Sequence, residues 1–304
     1  MISVKGLTKK FDDYKALENV NCTIPEGCIY GMVGSNGAGK STFLRLISGV
    51  YKPDEGEILV DDEPIYENQA MKGQIAFVSD DIFFLNNATM NRMADMYARF
   101  YKSFDRERFN TLTETFKLNP KKSINTFSKG MKRQVAIILA LSCKPKYLFL
   151  DETFDGLDPV MRGLVKSIIC SDVEERKATA ILTSHSLREL EDTCDQLALL
   201  HKGGLVFESD IENMKTSLFK VQTAFSEEYD ESKFEGLERL HFSKSGSVCN
   251  MIVKGDRQVV ADQIKTMNPI ILDILPLSLE EVFTYEMAAL GYTFDVELLG
   301  KEEQ

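Results

Sequence analysis

The chain alternates short apolar runs with longer stretches in which apolar residues recur every three or four positions. The runs at 28–33 (CIYGMV), 75–79 (IAFVS), 146–150 (KYLFL), 178–183 (ATAILT) and 196–200 (QLALL) have the length and composition of strands. Those at 146–150 and 178–183 are nearly continuous, as expected for strands covered on both faces. Helical spacing lies between them at 39–49, 90–102, 130–143 and 160–171. This alternation predicts an α/β protein with a largely parallel sheet. "HKGGLVFES" at 201–209 predicts a hairpin turn. Beyond about 215 the pattern changes to short strands at 218–225, 247–253 and 270–275 and helices at 257–267 and 278–289, with a polar loop at 227–236. The expected organisation is a first domain over 1–212, with a helical insertion at about 83–145, and a small α+β accessory domain over 213–304.

Charge sharpens that division. The whole chain carries a formal charge of −11. Residues 1–208 hold 27 basic and 29 acidic side chains, and residues 209–304 hold 9 and 18. An acidic second domain argues against nucleic acid or anionic lipid as its partner, although a well-solvated surface explains the charge equally well. No run approaches the length that crosses a bilayer; the densest, "VAIILAL" at 135–141, is far too short. The N-terminus has no signal-peptide core, so a soluble protein, or one attached to a membrane through a partner, is expected. The six cysteines and three histidines are scattered without a CxxC pair and suggest no zinc site.

The strongest chemical signal is "GSNGAGKST" at 34–42, between a predicted strand and a predicted helix. It fits G-x-x-x-x-G-K-[ST] at every position. Glycines at 34, 37 and 39 let successive backbone N–H groups face one concavity, and the helix start adds its positive end. Ser35, Asn36 and Ala38 complete the loop around a polyphosphate. Lys40 is expected on the β- and γ-phosphates, Ser41 on Mg²⁺ and Thr42 on the α-phosphate. "KYLFLDE" places Asp151 and Glu152 at the end of a second strand, where open α/β sheets bind ligands. Asp151 is expected to hold Mg²⁺, and Glu152 to orient and deprotonate an attacking water.

Four further features resemble the ATP-binding subunits of ABC transporters, within the P-loop NTPase class. "FSKGMKRQ" at 127–134 is similar to the family signature LSGGQ: Ser128 and Gly130 match, while Phe127, Lys129 and Met131 depart. "DGLDP" at 155–159 resembles the D-loop, with Asp158 as its acid. "TSH" at 183–185 offers His185 as the switch histidine. Phe11 matches the aromatic that stacks on adenine, with Tyr14 as the alternative. The resemblance runs through residues 1 to about 210 in order and spacing, and "LSLEEVFTYEM" at 277–287 is weakly similar to the helix ending many exporter-type cassettes.

The resemblance implies ATP hydrolysis, with ATP and Mg²⁺ bound at the cytoplasmic face of the cell membrane. It implies a head-to-tail pair, homodimeric or with a second kind of cassette, in which Ser128, Lys129 and Gly130 face the partner's ATP. It implies separate membrane-spanning permease subunits that this motion drives, for export, and no nucleic-acid partner. Phe83, Phe84 and Leu85 are candidate groove residues for the permease, with core packing as the alternative. A soluble ABC-type ATPase or a nucleotide-dependent regulator not coupled to transport is the competing reading. One position departs: Asp80, in "AFVSDDIF" at 76–83, stands where the family has a glutamine. An acid beside a triphosphate repels it, but beside Mg²⁺ it is a hard oxygen ligand. Asp80 is therefore expected to reach the metal, or else to point to solvent.

Overall fold

The computed structural model describes residues 1–213 and 218–289. It divides into two compact units, Met1–Glu208 and Ser209–Gln304. The break falls a few residues before the boundary expected from sequence.

In the first unit, β1 (Ile2–Phe11), β2 (Tyr14–Ile24), β4 (Glu55–Val60) and β5 (Glu63–Pro64) form an antiparallel sheet in the order β2-β1-β4-β5. The second sheet contains β3 (Ile29–Val33), β6 (Ile75–Val78), β7 (Tyr147–Asp151), β8 (Thr179–Ser184), β9 (Gln196–His201) and β10 (Gly204–Asp210), ordered β10-β9-β3-β8-β7-β6. Strands β9, β3, β8, β7 and β6 pair in parallel. All five residues of β3, all five of β7 and all six of β8 are buried, which explains their unbroken apolar character.

Helix α1 (Lys40–Ile47) buries Phe43, Leu44, Leu46 and Ile47 in one core that also takes Val4, Leu7 and Leu17 from the antiparallel sheet and Met32, Phe149 and Ile181 from the parallel one. The helix start is thereby clamped between two sheets. The short helices α2 (Gln69–Lys72) and α7 (Leu187–Glu191) sit in connections, and α6 (Pro159–Arg176) follows β7. The stretch expected as a helical insertion holds α3 (Met90–Phe100), α4 (Arg106–Thr115) and α5 (Lys129–Ser142). Each starts on a side-chain cap: Thr89, Asp105 and Ser128 accept from Arg92, Arg108 and Met131 N–H groups.

The second unit has its own antiparallel sheet, β12 (Glu238–Ser245), β13 (Val248–Lys254), β11 (Leu218–Ala224) and β14 (Ile271–Pro276), in that order. Helix α8 (Arg257–Thr266) brings Val260 and Ile264 onto Phe219, Val221, Met251 and Val253. Helix α9 (Leu279–Ala289) closes the described chain and buries Leu279, Val282 and Phe283.

Candidate nucleotide site

Parallel strands β3, β7, β8 and β6 all end at one edge of their sheet. Their C-terminal ends deliver the 34–39 loop, the Asp151–Glu152 pair, Ser184–His185 and the Ser79–Asp80 step to the same region. The motifs are thus gathered by topology, as expected for ligand sites of open parallel sheets.

A cavity beside α1 is lined by Tyr14, Ala16, Asn36, Gly37, Ala38, Gly39, Lys40, Ser41, Thr42, Asp80 and Glu152. Two glycines make the loop possible. Gly39 adopts φ 110° as the N-cap of α1, and a Cβ there would meet the Ala16 carbonyl oxygen at 2.6 Å. A Cβ on Gly34 would meet the Leu200 carbonyl oxygen at 2.4 Å. Because Gly39 has no side chain to cap α1 and the first turn has no acid, that turn's N–H groups keep their capacity for an anion.

Lys40 is buried, with its Nζ donating to the carbonyls of Gly34 at 2.6 Å and Ser35 at 3.2 Å. It also lies 3.0 Å from Glu152 Oε1, close enough for an ion pair although the oxygen is not in hydrogen-bonding geometry. Glu152 has a left-handed backbone, φ 45°, unusual for a residue with a side chain. That turn sends its carboxylate back across the strand ends. Its Oε2 lies 3.1 Å from His185 Nδ1 and accepts from the His185 backbone N–H at 3.3 Å. Glu152, His185 and Asp155 bring three ligand atoms within 4.8 Å of one another.

Asp151 is fully buried. Its Oδ1 accepts from the Thr183 hydroxyl at 2.8 Å, Ser41 acts on the same carboxylate, and Oδ2 is buried with no partner. Burial pushes its pKa above the ordinary carboxylate value and so makes it a weaker acid; Ser41 and Thr183 oppose that shift, and the Glu152 charge adds to it. A buried carboxylate oxygen without a donor, beside a helix-start hydroxyl, fits a hard cation.

The signature residues occupy another surface. Ser128 caps α5 and its Oγ accepts from Met131 N–H at 3.2 Å. Ser128 and Lys129 are exposed, and neither they nor Gly130 lines the cavity of their own chain. A Cβ on Gly130 would meet the Gly156 carbonyl oxygen at 2.7 Å, so the first turn of α5 lies tightly against the 155–156 loop. Phe127, where the signature has leucine, is buried as an apolar anchor. Asp158 caps α6, accepting from Val160 and Met161 N–H groups at 3.0 Å each.

Phe11 and Asp80 each have a side-chain partner outside the cradle. Phe11 packs edge-on to Tyr51 at 5.5 Å between ring centroids and does not line the cavity; Tyr14 does, and its hydroxyl donates to the Gly37 carbonyl at 3.2 Å. Asp80 lines the cavity, but its Oδ1 is held 2.9 Å from an Arg133 nitrogen. Arg133 and Thr183 were not singled out by sequence. The available signals were position: Thr183 is the last residue but one of β8, two before His185, and Arg133 lies five residues beyond the α5 cap. Phe83 is 82% exposed, which excludes core packing for it; Leu85 is exposed and Phe84 half-buried.

Fold and site define a nucleotide-binding P-loop ATPase. The family model described as "ABC transporter" matches residues 17–155. The chain is 29% identical over 284 residues to the ABC transporter ATP-binding protein YtrB of Bacillus subtilis, covering 93% of this chain and 97% of that protein. It is 31% identical over 218 residues to the bacitracin transport ATP-binding protein BcrA of Bacillus licheniformis, 71% of each chain. A solved structure described as the ATP binding subunit of an ABC transporter superposes with a TM-score of 0.66 and 25% identity, over 71% of this chain and 92% of that one. The chain belongs to the ABC transporter ATP-binding family, as the ATPase subunit of a transporter.

Proposed function

We propose that this chain binds MgATP in the cavity beside α1, pairs head to tail with a second ATP-binding subunit around two nucleotides, and drives separate membrane-spanning subunits from the cytoplasmic face of the membrane. The observation that carries this reading is the separation of two phosphate-receiving helix ends. The cradle faces its own cavity, whereas Ser128 and Lys129 at the start of α5 are exposed and do not line it. Two copies related by a twofold axis supply each cradle with the other's signature residues.

Within one cradle the chain's residues divide the work. The α1 N–H groups and the 34–39 loop hold phosphate oxygens, and Lys40 exchanges its carbonyl partners for them. Ser41 and Asp151 would hold Mg²⁺, whose charge neutralises the triphosphate when bound. Thr183 keeps the Asp151 carboxylate in place. Glu152, turned by its left-handed backbone and oriented by His185, accepts the proton of the attacking water. Tyr14, already at the loop, is the aromatic placed to meet the base.

None of the helices among the described residues is long and apolar enough to cross a membrane. Exposed Phe83 and Leu85, just after the β6 end, are proposed to meet the membrane-spanning subunits. Relatives of the family include methionine import as well as bacitracin transport proteins. Export is therefore the finer part of the proposal and rests on the 277–287 helix alone. Affinity purification of the chain from detergent-solubilised membranes of its own source tests the coupling. Recovery of a polytopic membrane protein whose presence raises ATP turnover supports it. Reproducible recovery without any membrane protein overturns it.

A further inference from the structure

The Asp80–Arg133 pair links two parts of the site that the motifs describe separately. Asp80 follows β6 and lines the cavity with Lys40, Ser41, Thr42 and Glu152. Arg133 belongs to α5, the helix capped by Ser128. Their side chains meet at 2.9 Å; Arg133 is 12% exposed and Asp80 55%. A second guanidinium nitrogen, Nη1, is buried with no hydrogen-bond partner, so burial of this arginine is not explained by a saturated network. The Arg133 charge also acts on Asp155, in the loop against which Gly130 packs. One guanidinium thus touches or faces the strand-end loops after both β6 and β7.

A bare carboxylate at position 80 would face the same cavity as the triphosphate and repel it. We propose that Arg133 is a positioning residue that neutralises Asp80 and ties the nucleotide cavity to the signature helix, so that Asp80 serves as Arg133's counter-ion rather than as a metal ligand. The inference rests on the proposal that the cavity takes ATP. It does not depend on transport.

The test is a four-protein cycle with the full chain: parent, Arg133→Gln, Asp80→Asn and the double variant. ATP affinity is measured by titration calorimetry with EDTA and again with Mg²⁺. Without Mg²⁺, Arg133→Gln is expected to weaken ATP binding about tenfold, since it leaves one carboxylate facing a triphosphate across a partly solvated gap. Asp80→Asn is expected to tighten binding a few-fold, and the double variant to return to within about threefold of the parent. The tenfold loss shrinks in 0.5 M salt, where the screening length falls to a few ångströms. Arg133→Lys, which keeps the charge, is expected to stay within about threefold of the parent and guards against a folding defect in Arg133→Gln.

Equal weakening in Arg133→Gln and in the double variant would overturn the neutralising role. So would an Asp80→Asn protein that loses affinity only when Mg²⁺ is present, which would make Asp80 a metal-side group. If the parent itself fails to bind ATP while Lys40→Ala behaves identically, the failure lies with the assignment of the cavity and not with the pair.

Discussion

Lys40 Nζ lies 3.0 Å from Glu152 Oε1, with the two side chains only 5% and 12% exposed. The cation expected on the phosphates and the acid expected on the water hold one another across the cavity. On the proposed reading, a nucleotide entering the cradle replaces this contact, so binding releases the base. Removing one partner of a buried pair is costly because it leaves the other charge uncompensated.

Glu152→Gln is therefore expected to separate binding from chemistry. ATP affinity is retained or rises a few-fold, because Lys40 loses its charged competitor, while turnover falls by roughly 10²–10⁴, the usual contribution of a positioned general base. Parallel nucleotide titration and phosphate-release assays check this. Turnover near the parent rate would remove Glu152 from the role of base.

Lys40→Ala is expected to weaken ATP binding itself by about 1.5–3 kcal/mol, the range for hydrogen bonds to a charged group, or roughly 10–100-fold. Parallel nucleotide titrations of the parent and the variant test this, and unchanged affinity would remove Lys40 from the phosphates.

Asp151→Asn should trade activity for stability. Burial raises the pKa of the folded Asp151 carboxyl above its ordinary value, so the folded state holds the proton more tightly than the unfolded chain. For a group shifted in this direction, stability falls as pH rises from the unfolded value through the folded one, and the loss persists at neutral pH. The amide removes that loss. The nucleotide-free variant is expected to melt higher than the parent at neutral pH, with the gain disappearing in acid where the parent's carboxyl is protonated in both states. Its Mg²⁺-dependent ATP turnover should be lost. Thermal melts across pH, with and without MgATP, read out both.

Tyr14→Ala should weaken nucleotide binding more than Phe11→Ala. Tyr14 reaches the loop through Gly37, whereas Phe11 is engaged with Tyr51 and with Lys9 Nζ, 5.5 Å from its ring centroid. Base stacking is worth about 1–3 kcal/mol by alanine substitution, so Tyr14→Ala is expected to lose roughly 5–100-fold. Competition between ATP and a bare triphosphate distinguishes them, since only the base-dependent part of the affinity should fall.

The parts of the fold legible in the sequence were those with one clear period. β7 and β8 read as strands because every residue is buried, and α5 reads as a helix because its apolar residues keep helical spacing. β12 did not, because ERLHFSKS is largely exposed and sits at a sheet edge, where alternation is weak. β1 escaped because three register shifts against β2 scramble its inward-facing positions. The cradle was legible because backbone geometry there demands glycine at 34 and 39. The Tyr14–Gly37 and Asp80–Arg133 contacts were not, because each joins segments whose proximity only the folded chain sets.

Nucleotide-driven pairing is the central claim, and the mass of the Glu152→Gln protein in solution tests it most directly. By light scattering after size exclusion, the account predicts about the 34.4 kDa monomer without nucleotide and about twice that with MgATP. The larger species should vanish when Ser128, exposed at the start of α5, is changed to Arg. A Glu152→Gln protein that binds ATP yet keeps the monomer mass at every concentration would contradict it.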